Sequence, residues 1–245
     1  MKLKEIKKFY EWFHSNKILN PKADLMQAQR CDYLRFLIKN ITGKFLVIGC
    51  GSEEEMGILN KNCDGIGIDI SEEAVKKSKA KYPQFEYYVA NATNLHFEKN
   101  SFDCVICSEV IEHIPDDEKF LSEVKRVLKN NGIFIVTTPN WLSWYGLARK
   151  IAEGLFKKPV TSDDQPIDNW STPSSLKRKL KKYGFEINFL RGLWYFPPTG
   201  KGKNQIPWRI TLPIAKLFYP FEVLFRRILP WYGHMILFKT RLIKS

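Results

Sequence analysis

Residues 45–51, Phe-Leu-Val-Ile-Gly-Cys-Gly, constrain this chain more than any other stretch. Four apolar residues in a row, two of them β-branched, read as a strand buried on both faces. Gly49 and Gly51 follow at once. The chain can therefore turn sharply there, and no Cβ at those two positions keeps a ligand from the backbone. A strand covered on both faces needs helices above and below it. That requirement points to a parallel sheet wrapped by helices.

The remaining pattern agrees. From Lys44 onward, short β-branched runs alternate with helical stretches. Strands are predicted at 45–48, 65–70, 86–89, 102–108 and 133–137, with helices near 53–60, 72–82 and 117–129. Ser71, followed by Glu72 and Glu73, has the form of an N-cap with acids in the first turn. Asn131-Gly132 is expected to close the helix before the fifth strand. Ahead of the sheet, residues 3–40 read as two helices, and Leu34, Leu37 and Ile38 lie at helical spacing in the second. Ser171-Thr172-Pro173 opens a short basic helix ending at Gly184, and residues 186–191 and 234–241 look like two closing strands. The expected organisation is a helical cover at 1–41, an α/β core at 42–196 and 233–245, and a basic, aromatic-rich insertion at 197–232.

Asp69 ends the second strand, 20 residues beyond Gly49. A carboxylate there can accept hydrogen bonds from both ribose hydroxyls of a nucleotide-like ligand. The plainer alternative is that it caps the next helix. Ala90-Asn91-Ala92 follows the third strand, so it falls at the same carboxyl edge of a doubly wound sheet. Asn91 could bond an adenine edge and Ala92 could offer its N–H; taken alone, the segment is an ordinary polar turn.

Together, Ile48-Gly49-Cys50-Gly51, Gly67-Ile68-Asp69, Asn91-Ala92, Ser101-Phe102-Asp103, Glu109-Val110-Ile111-Glu112-His113, Thr138-Pro139-Asn140 and Lys182-Tyr183-Gly184-Phe185 resemble the class I S-adenosylmethionine (SAM) dependent methyltransferases. Within that superfamily the pattern is most similar to the ubiquinone-biosynthesis O-methyltransferases. The resemblance covers 42–191 and 234–241. It implies a Rossmann-like, doubly wound sheet of seven strands with the last antiparallel. SAM would lie over the carboxyl ends of the first strands and leave as S-adenosyl-L-homocysteine. Its contacts map onto Gly49, Cys50, Gly51, Asp69, Ile70, Asn91 and Ala92, with Ser108 and Glu109 at the pocket edge. Three positions depart from the family: Val47 stands where an acid usually begins the glycine motif, Glu53 where a third glycine usually lies, and Asn91 where Asp is commoner. These departures keep a non-catalytic SAM-binding homologue as an alternative.

If residues 109–113 form one helical turn, Glu109, Glu112 and His113 share a face and could hold a divalent metal. Similar Glu-x-x-Glu-His segments are metal ligands in small-RNA 2′-O-methyltransferases, which add a histidine downstream. Residues 165–170 contain none. The favoured assignment is no metal, with Glu109 near SAM and His113 as general base for an acceptor hydroxyl. A packed histidine is the structural alternative. Cys104 and Cys107 imitate a zinc motif, but strand alternation sends their thiols to opposite faces.

Composition bears on the partner. The formal charge of +13 favours an anionic partner such as a membrane surface, a nucleic acid or a phosphorylated substrate, or simply reflects a solvated lysine surface. Trp141, Trp144 and Tyr145, with Arg149, Lys150, Lys157 and Lys158, have the makings of an amphipathic helix at the acceptor entrance. The insertion repeats the theme, with Trp208, Phe218 and Trp231 among Arg209, Lys216 and Arg227. The expected acceptor is a small or lipophilic hydroxyl compound, with the tail acting as a lid or facing an anionic membrane. RNA methylation ranks behind both, because aromatic-basic patches also stack bases. Met1 to Ser15 lacks the apolar core of a signal peptide, and no run of about 18 apolar residues exists. With five scattered cysteines, the expected setting is a reducing cytoplasm, peripheral to the membrane at most.

Overall fold

The computed structural model describes residues 3–16, 25–52, 54–60, 63–156, 166–195 and 224–244, and places the 45–51 stretch at the middle of a seven-stranded sheet. β1 (Lys44–Ile48) pairs in parallel with β2 (Asp64–Asp69) on one side and β4 (Phe102–Ser108) on the other. β3 (Glu86–Val89) extends the sheet past β2, and β5 (Leu128–Pro139) extends it past β4. The last strand, β7 (Met235–Leu242), inserts antiparallel between β5 and β6 (Phe185–Leu193). The order β3-β2-β1-β4-β5-β7-β6 is the expected doubly wound sheet with its final strand reversed.

Two apolar layers flank the sheet. Leu46, Ile48, Val105, Cys107 and Phe134 face one side with Leu121 and Val124 of α4 (Asp117–Val127) and Leu176 and Leu180 of α6 (Pro173–Lys182). Phe45, Val47, Cys104 and Ile106 face the other with Leu34, Leu37 and Ile38 of α2 (Leu25–Ile38). Cys104 and Cys107 therefore sit in different layers, as alternation along a strand requires. Ser71 caps α3 (Glu72–Lys81) by accepting the Ala74 N–H at 3.1 Å, and Thr172 and Ser175 form a capping box at α6 with Pro173 in its first turn. The two remaining long helices are α1 (Leu3–Asn16) and α5 (Trp144–Phe156).

Three expectations need correction. The described residues 54–60 do not form an α-helix; they hold one short 3₁₀ turn, Met56–Ile58, and another precedes them at Cys50–Ser52. The tertiary reason is that Glu55 is drawn inward to Arg30 at 2.6 Å, while Gly57 lies where a Cβ would strike the Tyr82 hydroxyl. Asn131-Gly132 does not end a helix. α4 stops at Val127 with Leu128 already extended, and Asn131, at φ 62°, lies in the irregular stretch between the Leu128 and Ile133 pairings of β5. Of the closing strands, β6 is longer than the expected 186–191, because it pairs with β7 from Phe185 to Leu193, while β7 keeps the expected length one residue further on. The 197–232 insertion lies outside the described residues except for 224–232, where a short helix spans 224–228.

Phe134 is fully buried, with ring centroids 6.3 Å from Phe120 and 5.3 Å from Phe185, so it joins α4 to the reversed end of the sheet. Phe134→Ala is expected to cost about 3–5 kcal/mol, read as a lower urea midpoint with an unchanged slope.

Candidate functional site

The turn after β1 is built around missing side chains. Gly49 has φ 78°, and a Cβ there would lie 2.2 Å from Val110 Cγ2. At Gly51 a Cβ would lie 2.5 Å from Ala74 Cβ and 2.8 Å from Asp69 Oδ2. That room is taken up by the protein itself, by His14, whose Cε1 would also lie 2.8 Å from such a Cβ, and by Asp69. Its Oδ2 accepts the Gly51 N–H at 3.1 Å, and its Oδ1 accepts the Ser71 N–H at 3.0 Å. Asp69 thus braces the start of α3 and ties it to the glycine turn. Burial lifts its carboxyl to about 6 against the pull of those N–H groups.

A cleft of about 240 Å³ opens at the carboxyl ends of β2 and β3, lined by Ile70, Val89, Ala90 and Asn91 on the sheet side and by Leu3, Lys4 and Lys7 on the helix side; Gly49, Gly51, Asp69, Ser108 and Glu109 do not line it. Not every expected contact faces it. The Cys50 side chain is fully buried in the core, while its carbonyl accepts the Ser78 hydroxyl. Ala92 packs partly into the core. The Asn91 carboxamide oxygen accepts both the N–H and the hydroxyl of Thr93, which makes this segment a polar turn as well as a wall of the cleft. Val47 is fully buried on the α2 side of the sheet, and Glu53 lies outside the described residues.

The helix that closes the cleft was not expected to take part. Glu11 of α1 accepts the Ser71 hydroxyl at 2.9 Å and the N–H groups of Glu72 and Glu73 at 2.6 and 3.2 Å. It is an acid placed at the positive end of α3 by a different helix. Lys7 pairs with Glu72 at 2.8 Å, and Lys77 donates to the His14 carbonyl. No local pattern connects residue 11 to residue 71, so nothing along the chain signals this latch.

The 109–113 segment is not one helical turn. Glu109 adopts φ 54°, and only Ile111–His113 forms a 3₁₀ turn. The Glu109 carboxylate instead accepts the Thr137 hydroxyl at 2.8 Å, with Ser108 Oγ 3.2 Å from the same hydroxyl. Among the described residues no three His, Cys, Asp or Glu side chains gather as a metal site would need. The Glu109, Glu112 and His113 triad is corrected on that geometry. Glu112 is 2% exposed and burial raises its carboxyl to about 8; burial raises Glu109 as well. His113 donates its Nδ1 proton to the Ile167 carbonyl at 2.7 Å, which leaves the Nε2 lone pair 3.7 Å from Glu112 Oε1. Burial lowers its pKa, so at neutral pH the ring is uncharged. Behind these groups Arg30 and Glu55 form a buried pair at 2.6 Å, and Arg30 acts by its charge on both Glu109 and Glu112.

The three expected entrance aromatics belong to one cluster: Trp141 and Tyr145 both pack on Trp170, at 5.1 and 6.0 Å, and Trp144 meets Tyr145 at 5.9 Å. Trp141 and Trp170 bracket the Arg149 guanidinium at 5.1 and 4.5 Å, and Arg149 pairs with Asp168 at 2.6 Å. Tyr145 packs edge-on against His234, while Trp144 points outward. The cation of α5 is therefore turned inward. Its outward stripe is apolar, with Leu147, Ile151 and Leu155 exposed by 46%, 64% and 73%.

A family described as a methyltransferase domain matches residues 46–136. A ubiquinone biosynthesis O-methyltransferase of Actinobacillus pleuropneumoniae is 30% identical over 204 residues, covering 78% of this chain and 86% of the relative. An uncharacterized protein of Methanocaldococcus jannaschii is 31% identical over 209 residues, covering 81% and 83%. Among solved structures, a chain from the complex between the Haloferax volcanii Trm112 methyltransferase activator and a methyltransferase gives a TM-score of 0.63 at 16% identity over 98% of both chains, a likeness of fold.

The Glu11 latch has a direct consequence. Glu11→Ala is expected to speed tryptic cleavage at Lys4, Lys7 and Lys8 about tenfold, the factor that roughly 1.4 kcal/mol of lost charged hydrogen bonding gives. An unchanged digestion rate would show that α1 is held by other contacts.

Proposed function

The chain belongs to the class I SAM-dependent methyltransferases, and we propose that it methylates a hydroxyl of a small or lipophilic acceptor. SAM is its cofactor. The observation that supports assigning particular residues to it is the Asp69 carboxylate itself, which accepts the Gly51 N–H at 3.1 Å where the paired strands β1 and β2 end. Asp69 is assigned to the ribose hydroxyls, Gly49 and Gly51 to close backbone approach, and Ile70 and Asn91 to the base. Leu3, Lys4 and Lys7 of α1 line the helix side of the cleft. Ser108 and Glu109, held together by Thr137, are assigned to the methyl-bearing end.

When bound, SAM supplies a methyl group already activated on a sulfonium, so placing the acceptor in line accounts for most of the rate. The protein must then remove one proton from the acceptor hydroxyl. His113 is suited to that role, because its Nδ1 proton is fixed on Ile167, its Nε2 lone pair is free to accept, and burial keeps the ring neutral.

The lipophilic side of the proposal rests on α5. Leu147, Ile151 and Leu155 recur every four residues on its outer face, with Lys150 beside them, while Arg149 is buried. A helix with its apolar stripe outward and cations at the flank suits an anionic lipid surface. Leu224, Phe225 and Ile228 add exposed apolar area in the short 224–228 helix, and Arg227 lies among them. Among the described residues no helix is long and apolar enough to cross a membrane.

Calorimetric titration with SAM tests the cofactor residues. Asp69→Ala is expected to weaken binding by about tenfold or more, the scale of losing charge-assisted hydrogen bonds. Ribose hydroxyls donate to the ionised carboxylate, and the Asp69 pKa is raised to about 6, so wild-type affinity should hold at pH 7.5 and fall as the pH drops through 6. The variant should lose that pH dependence. Flotation with anionic vesicles tests the surface: the wild type should float, and Ile151→Glu with Leu155→Glu should sink. A wild type that stays with the soluble fraction would remove the membrane from the proposal and leave the methyl transfer standing.

A further inference from the structure

Three buried polar atoms near His113 lack hydrogen-bond partners: the Tyr10 hydroxyl, the Oε2 of Glu112 and the Thr138 hydroxyl. Each carries a desolvation cost that a folded protein normally offsets with an internal bond. They belong to one neighbourhood. The Tyr10 ring lies 5.9 Å from the His113 ring, and the charges of Glu112, Asp69 and Asp168 all reach the Tyr10 hydroxyl. Thr138 adjoins Glu112 without a hydrogen bond of good geometry. Glu112 comes from the turn after β4, Thr138 from the end of β5, and Tyr10 from the helix that Glu11 latches over the cofactor cleft.

We infer that Tyr10 and Glu112 form the polar grip of the acceptor subsite, holding a hydroxyl of the acceptor between the Tyr10 hydroxyl and the unbonded Glu112 oxygen. The inference rests on the methyl-transfer reading above and adds the residues that select the acceptor. The unmet valences are one carboxyl oxygen and two hydroxyls that can each give and take a hydrogen bond. A ligand hydroxyl, with one donor and two acceptor positions, matches that set. An ammonium matches it less well, because it offers no acceptor and would enter against the charge of Arg30, which already acts on Glu112. Tyr10 and His113 bring two aromatic rings together at this place, 5.9 Å apart centroid to centroid, so a hydroxyl carried on a planar ring suits it. Because Tyr10 arrives on α1, the subsite is complete only when that helix is latched over Asp69.

Saturation-transfer NMR of the full chain, loaded with S-adenosyl-L-homocysteine, tests the grip with three probes: phenol, anisole and benzylamine. Phenol should receive saturation, and anisole and benzylamine should receive at least threefold less. Tyr10→Phe and Glu112→Gln should each cut the phenol signal at least threefold while homocysteine-product affinity stays within twofold of wild type. Phenol that fails to bind the wild type, binds no better than anisole or benzylamine, or binds both variants equally well would overturn the grip. The comparison of the three probes on the wild type decides the matter even if a variant does not fold. Failure of the wild type to bind S-adenosyl-L-homocysteine at all would instead strike the cofactor reading on which the inference stands.

Discussion

The Asp69 carboxylate is the contact on which the arrangement of the site depends. One oxygen holds the Gly51 N–H and the other holds the Ser71 N–H, so a single side chain ties the turn after β1 to the start of α3. Both bonds come from adjacent parallel strands reaching the same edge, which is the geometric privilege of this sheet. Removing the two N–H groups would leave a buried charge uncompensated, and burial already raises the Asp69 carboxyl. The glycine at 51 follows from the same contact, since any Cβ there would press against Asp69 and Ala74.

From that clamp the rest of the site is assembled by elements far apart in the chain. The amino end of α3 carries unsatisfied N–H groups, and Glu11 meets them from α1, which brings Leu3, Lys4 and Lys7 over the cleft and Tyr10 toward His113. On the other flank, Thr137 of β5 fixes Glu109, and Ile167 fixes the His113 tautomer. Charged groups in this interior are paired where the protein can pair them, as in Arg30 with Glu55 and Arg149 with Asp168. The polar atoms left over at Tyr10, Glu112 and Thr138 gather around His113, where the acceptor subsite is proposed. That is the expected place for a fold to leave its internal bonding incomplete.

Much of this was legible in the residues. The strand at β1, its glycine turn, Asp69 at the end of β2 and the Ser71 and Thr172 caps are local patterns, each with its own physical signature within a few residues. The opposite burial of Cys104 and Cys107 followed from alternation alone. Other segments misled for a physical reason. The 109–113 segment has helical spacing, but Glu109 takes a left-handed backbone because Thr137, 28 residues away, captures its carboxylate. Residues 131–132 carry a turn signal, but the turn serves a strand irregularity instead of a helix end.

By itself, then, the sequence determined the parallel sheet, the position of the glycine turn after β1 and the acid that faces it, because these depend on periodicity and on residues adjacent along the chain. Only the tertiary structure decided that α1 closes the cleft through Glu11, that Arg149 turns inward so that the α5 stripe faces out, and that Tyr10 comes to lie against His113. Those outcomes are set by which buried donors and charges find partners across tens of residues. Such pairings leave no local pattern to read, since each partner on its own looks like an ordinary surface residue.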